Sequence, residues 1–146
     1  MSRALAQAQA GFAANEVPVG AIVIAADGKT VLAEAHNAPL GTCDPTAHAE
    51  ILALRMAAEK LGNYRLTGCT LVVTLEPCTM CAGAISHARI AHLVYGATDA
   101  KGGAIQSGVQ FFEQASCHHQ PQVTSRVMAE PASQLLRQFF LDRRKK

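Results

Sequence analysis

Leu71-Val72-Val73 form the centre of an uncharged run from Cys69 to Leu75, which Glu76-Pro77 brings to an end. A strand with one face in water alternates apolar and polar residues, whereas one that is apolar at consecutive positions is covered on both faces. Two-sided cover of that kind comes from helices packed above and below a sheet. The run therefore points to an α/β architecture.

The rest of the chain supplies the matching parts. Residues 3–14 are alanine-rich, with Leu5, Ala8 and Phe12 at helical spacing, and predict a first helix. Gly20 to Ile24 and Thr30 to Ala35 flank Ala26-Asp27-Gly28-Lys29, where Asp-Gly is a strong turn signal, so this stretch reads as a β-hairpin. A helix is predicted from about Thr46 to Lys60, with Ile51, Leu54 and Ala58 on one face. Asp44 followed by Pro45 would also start it, but Thr46 is favoured as the N-cap. Pro77 suits the first position of a helix following the buried strand. Leu93-Val94-Tyr95 predicts a short buried strand, Phe111-Phe112 a short helix, and Val123 to Val127 a weaker strand. Pro131 opens an amphipathic helix through Arg144, with Leu135, Phe139 and Phe140 on its apolar side. Taken in order, these elements argue one domain over residues 1–146, a three-layer α/β/α sandwich with a mixed five-stranded sheet.

Composition narrows the setting. The chain is 49% apolar and 16% charged, and it has no uninterrupted apolar run long enough for a membrane span. Met1 to Glu16 lacks the basic start and apolar stretch of a signal peptide, so a soluble, cytoplasmic protein without a membrane partner is expected. In a reducing compartment the five cysteines should be thiols or metal ligands. Cys43, Cys69 and Cys117 lack ligand spacing and read as small buried hydrophobes.

His48-Ala49-Glu50 and Pro77-Cys78-Thr79-Met80-Cys81 carry the chemistry. His48, Cys78 and Cys81 offer three borderline-to-soft metal ligands and leave Glu50 spare. A structural zinc usually takes four protein ligands, while a catalytic zinc takes three and leaves a position for water. Residues two apart on a helix diverge by about 200°, so His48 and Glu50 can serve one centre only if it lies off the helix end. Two other readings stay open on residue types alone. One is a zinc that only pins two helices, its shell closed by Glu50, His118 or His119. The other is a thioredoxin-like redox pair, which leaves His48 and Glu50 unexplained.

His-x-Glu with Pro-Cys-x-x-Cys resembles the signature of zinc-dependent nucleobase deaminases, the cytidine deaminase-like superfamily. The segments Asn15-Glu16-Val17-Pro18-Val19-Gly20-Ala21, Asp44-Pro45-Thr46-Ala47-His48-Ala49-Glu50-Ile51, Asn63-Tyr64-Arg65-Leu66 and Thr74-Leu75-Glu76-Pro77-Cys78-Thr79-Met80-Cys81-Ala82-Gly83-Ala84 more narrowly resemble the bacterial tRNA-specific adenosine deaminases. The match runs from about Phe12 to Gly103 and resumes in the Phe139-Phe140 helix. Segment 104–132 follows the family loosely.

That resemblance implies a cytidine deaminase-like fold with one zinc ion per subunit, in a homodimer whose active sites lie near the interface. It implies hydrolytic deamination of the wobble adenosine in a tRNA anticodon stem-loop, with Glu50 as proton shuttle. It further implies that Asn37 hydrogen-bonds the flipped base, that Val19 makes an apolar contact to it, and that the Asp99-Ala100-Lys101 segment lies beside the sugar, with Lys101 a candidate RNA phosphate contact. A deaminase of free guanine, cytosine or their nucleosides on the same scaffold is the alternative, and a zinc-stabilised RNA-binding module without turnover a more distant one. Net charge is only +2, but Arg137, Arg143, Arg144, Lys145 and Lys146 crowd the C-terminal end. The last four read equally as a solvated helix end that complements its dipole or as RNA phosphate contacts.

Overall fold

The computed structural model describes residues 1–145, so Lys146 of the basic terminus lies outside the described residues. Strands β1 (Gly20–Ile24), β2 (Val31–His36), β3 (Thr70–Leu75), β4 (His92–Ala97) and β5 (Gln122–Thr124) form one sheet in the order β2-β1-β3-β4-β5. β1 runs antiparallel to both β2 and β3, while β4 and β5 continue parallel to β3, which makes the sheet mixed. The α-helices are α1 (Ser2–Ala13), α2 (Pro39–Thr42), α3 (Ala49–Leu61), α4 (Thr79–His87) and α5 (Ala129–Arg144), and Phe111–Glu113 forms the short helical turn expected at Phe111-Phe112.

Alternation along the strands sorts their side chains onto two faces. Ala21, Val23, Leu71, Val73, Leu93 and Tyr95 join Ala53, Leu54 and Ala57 of α3 and Ala82 and Ile85 of α4 in the main core. Ile22 and Val72 form a second cluster with Ala4 of α1. Full burial of each larger side chain such as Leu71, Ile85 or Leu93 contributes about 1.5–3 kcal/mol. The consecutive apolar residues of β3 thus divide between two helical layers.

The approach of α1 explains a difference from the sequence pattern. Its buried positions are Ala4, Ala8 and Gly11, not the stripe through Leu5 and Phe12. The helix lies so close to β1 that a Cβ on Gly20 would stand 2.0 Å from the Ala4 carbonyl oxygen and 2.6 Å from the Ala8 nitrogen. Only small residues fit there. Phe12 instead meets Phe139 of α5 edge-on, with ring centroids 5.4 Å apart.

Several predicted boundaries move. α3 starts at Ala49 rather than Thr46, because Asp44 Oδ1 accepts both the backbone N–H and the hydroxyl of Thr46, at 2.8 and 2.7 Å, in a separate turn. α4 starts at Thr79, which leaves Pro77 outside it. α5 begins two residues before Pro131, which its first turn tolerates because the amides there need no intrahelical acceptor. Phe140 is 48% exposed and faces away from the core. Cys43 is exposed, unlike buried Cys69 and half-buried Cys117; it occupies the left-handed position that ends α2, a short helix that no periodicity in the sequence signals.

Candidate metal centre and active-site cleft

Two helix starts meet beyond the end of β3. His48 is the N-cap of α3 and Cys78 the N-cap of α4, both with extended backbone and neither making a side-chain cap bond. The caps are spent on each other instead. His48 Nδ1 lies 3.6 Å from Cys78 Sγ and 3.5 Å from Cys81 Sγ. A tetrahedral zinc with Zn–S about 2.3 Å and Zn–N about 2.05 Å separates its nitrogen and sulfur ligands by about 3.6 Å. The three ligand atoms all lie within 4.8 Å of one another, and among the described residues they form the single group of this kind. Donor type and spacing therefore fit zinc. His118 and His119 are no part of the cluster; His119 Nε2 instead pairs with the Ile90 carbonyl at 2.7 Å.

Protonation in the cluster is shared. A hydrogen bond with the Cys81 side chain, aided by His48, lowers Cys78 to about 4, while the same pairing together with burial pushes the Cys81 thiol up. His48 is raised, first by its bond to Cys78. A cation ligated by these thiols displaces their protons, so its binding is favoured as pH rises.

Glu50, in the first turn of α3, is 4% exposed, and burial raises its carboxyl to about 7. The group is poised to take and return a proton near neutrality. Asn37, just after β2, is also buried, and its Oδ1 accepts the Ala49 N–H at 2.8 Å, in effect capping α3 from outside. That bond orients the amide, so the remaining Asn37 function offered to the cleft is the Nδ2 donor.

The cleft encloses about 460 Å³ and is lined by His48, Cys78, Glu50, Asn37, Val19 and Asp99, among others. Arg143 reaches its edge, but its guanidinium donates to the Asn15 carbonyl at 2.8 Å and lies 4.5 Å from the Phe139 ring centroid. Lys101 and Arg144 line an adjoining hollow with Arg137, Phe140 and Leu141, and this hollow shares Asp99 and Gly102 with the cleft. Lys145 is exposed and lines neither.

Three features of the walls were not singled out from sequence. Glu16 is buried in the cleft wall, and its Oε1 accepts the Gly41 N–H at 2.7 Å, tying α2 down. Pro39 and Leu40 of α2 line the cleft together with Asp99 and Gly102. Glu76 carries the far wall through five hydrogen bonds to the 99–107 loop. Burial alone would raise Glu76, but the Asp99, Ser107 and Gln106 amides and the Ser107 hydroxyl hold it below its usual value. Glu16 and Glu76 stood in the quoted motifs, yet nothing in spacing distinguishes a carboxylate that accepts loop amides from a solvated one.

Comparison with known proteins agrees with this geometry. The chain is 51% identical over 144 residues to the tRNA-specific adenosine deaminase of Agrobacterium fabrum, covering 99% of this chain and 93% of that protein. It is 51% identical to the Haemophilus influenzae protein of the same name, covering 99% and 83%. A solved structure from a study of A-to-I editing by tRNA:A34 deaminases superposes with TM-score 0.91 at 51% identity, covering 93% of this chain and 97% of that one. A guanine deaminase from Nitrosomonas europaea superposes with TM-score 0.82 at 27% identity, over 94% of this chain and 81% of that one. The family model of the MafB19-like deaminases matches residues 1–144, and with relatives at half identity over nearly its whole length the chain belongs to the deaminase family that includes the tRNA-specific adenosine deaminases.

Proposed function

We propose that this chain, acting as one domain, hydrolytically deaminates the wobble adenosine of a tRNA anticodon loop to inosine. The observation that carries the reading is the coincidence of the His48, Cys78, Cys81 and Glu50 constellation in one cleft with half identity to tRNA-specific adenosine deaminases over nearly the whole chain. His48, Cys78 and Cys81 would hold zinc, which would supply the Lewis acidity that activates water. Glu50 takes one proton from the attacking water and gives it to the purine ring nitrogen, then takes the second from the hydroxyl that the water has become and gives it to the departing amine, which leaves as ammonia. One carboxylate serves both because the steps are sequential. Asn37 Nδ2 donates to an acceptor on the extruded base, Val19 packs against its face, and Asp99 lies on the sugar side. An unpaired loop suits this cleft, since extruding a base there costs little stacking.

In this reading Lys101, Arg144 and Lys145 contact backbone phosphates, with the hollow beside the cleft as their track. Arg143 shapes the cleft edge through Asn15. The enzyme works as a cytoplasmic homodimer. Exposed Met56, Leu61, Tyr64 and Met80 supply apolar surface for a second copy, and a monomer by sedimentation would remove the dimer from the reading.

Metal content provides the first check. The purified protein should hold one zinc per chain, lose activity on dialysis against a chelator and regain it with added zinc. Activity that survives complete metal removal would break the mechanism. The substrate is tested by incubating the zinc-loaded protein with an adenosine-containing anticodon stem-loop and, separately, with free adenosine, cytidine and guanine, and measuring ammonia and product. Inosine from the stem-loop alone is expected. Turnover of guanine alone would place the chain with the guanine deaminases that share its scaffold, and zinc binding with no turnover would leave an RNA-binding module.

A further inference from the structure

The Glu76 side chain is 2% exposed and stands at the junction between β3 and the metal ligands, yet it lies outside the cluster of ligand atoms. Its Oε1 accepts the backbone N–H groups of Ile105, Gln106 and Ser107 at 3.1, 2.8 and 2.8 Å. Its Oε2 accepts the Asp99 N–H at 2.8 Å and the Ser107 hydroxyl at 3.0 Å. All five partners are donors, and they come from both ends of one loop. The loop closes over the carboxylate so tightly that a Cβ on Gly103 would stand 2.5 Å from Glu76 Cδ and Oε2 and from the Asp99 carbonyl oxygen. Asp99 Oδ1 in turn accepts the Lys101 and Gly102 amides at 3.0 Å, so the order imposed by Glu76 extends to the tip of the loop. Asp99 and Gly102 line both the cleft and the hollow beside it.

We propose that Glu76 is a positioning residue for substrate binding, which holds loop 99–107 in the shape that the nucleotide meets and acts through Asp99. The identity of that nucleotide rests on the function proposed above; the holding of the wall does not. The geometry accounts for the residue type. Glutamine is nearly isosteric but offers one acceptor oxygen and an NH₂ that would confront N–H or O–H donors, and aspartate is one methylene short of the loop. A neutral side chain therefore leaves several loop amides without their acceptor. The loop then samples other conformations, and the ligand must order it on binding.

Glu76→Gln and Gly103→Ala approach the contact from opposite sides, and each is compared with wild type in three measurements. Hydrogen exchange at the Asp99, Ile105, Gln106 and Ser107 amides should accelerate by about tenfold or more. Zinc content should be unchanged. On the stem-loop, KM should rise by about tenfold with kcat within about threefold of wild type. Unchanged exchange in both variants would overturn the proposal, as would zinc loss or a fall in kcat at constant KM, which would make Glu76 a support for the metal ligands. Should Glu76→Gln fail to fold, Gly103→Ala carries the same readings. If wild type makes no inosine, the proposed function has failed, and the exchange measurement alone still decides whether Glu76 holds the wall.

Discussion

Glu50→Gln is expected to lower turnover of the stem-loop by about 10²–10⁴-fold, the usual contribution of a positioned general acid–base group. Fold, metal content and RNA affinity should stay near wild type. The expectation follows from a division of labour at the start of α3. His48 at the N-cap faces Cys78 and Cys81, whereas Glu50 lines the cleft and does not belong to the ligand group. Gln keeps the volume of a side chain that is 4% exposed, so packing of the first helical turn should survive. Burial raises the Glu50 carboxyl to about 7, so it exchanges its proton near neutrality, and an amide of the same shape abolishes that transfer while filling the same space. Turnover, equilibrium binding and metal analysis on one preparation check it. Zinc loss in Glu50→Gln would instead make Glu50 a fourth ligand and the centre a structural one.

Gly20→Ala should be the most damaging single methyl group in the protein. The added Cβ would stand 2.0 Å from Ala4 O, 2.6 Å from Ala8 N and 2.9 Å from Gln7 Cβ. Two of these are backbone atoms of a helix, so no rotamer change relieves them, and α1 must lift from the sheet. Overpacking typically costs 1–3 kcal/mol, and a clash with backbone belongs at about 3 kcal/mol or above. For a chain of this size that corresponds to a fall in Tm of about 6–12 °C. The variant should also bind substrate less well, because the link from α1 to β1 carries Glu16, Val17 and Val19 of the cleft wall. A thermal melt superimposable on wild type would mean that α1 does not sit on β1 as described.

Both predictions show where sequence and structure divide. Glu50 could be singled out from His-x-Glu beside Pro-Cys-x-x-Cys, because the chemistry of zinc demands particular ligand types at short spacings. Gly20 could not, since a glycine before an apolar strand carries no signal of what approaches it. The same holds for helix ends. Thr46 is a good capping residue in isolation, but Asp44 takes its hydroxyl and the helix start passes to His48. The first amide of α3 is then satisfied by Asn37 from another element. Phe140 fits the apolar side of its helix by spacing, yet it is half exposed beside Arg137 and Arg144 in the hollow next to the cleft.

By itself the sequence determined the layers, the mixed sheet and which three residues could gather around a metal, since hydrophobic period and donor chemistry are local properties that survive any arrangement of the chain. The tertiary structure alone decided which carboxylates stand in the cleft walls. Glu16 and Glu76 are each buried only because distant loops bring amide donors to them, and that meeting is a property of the folded chain and of no short segment within it.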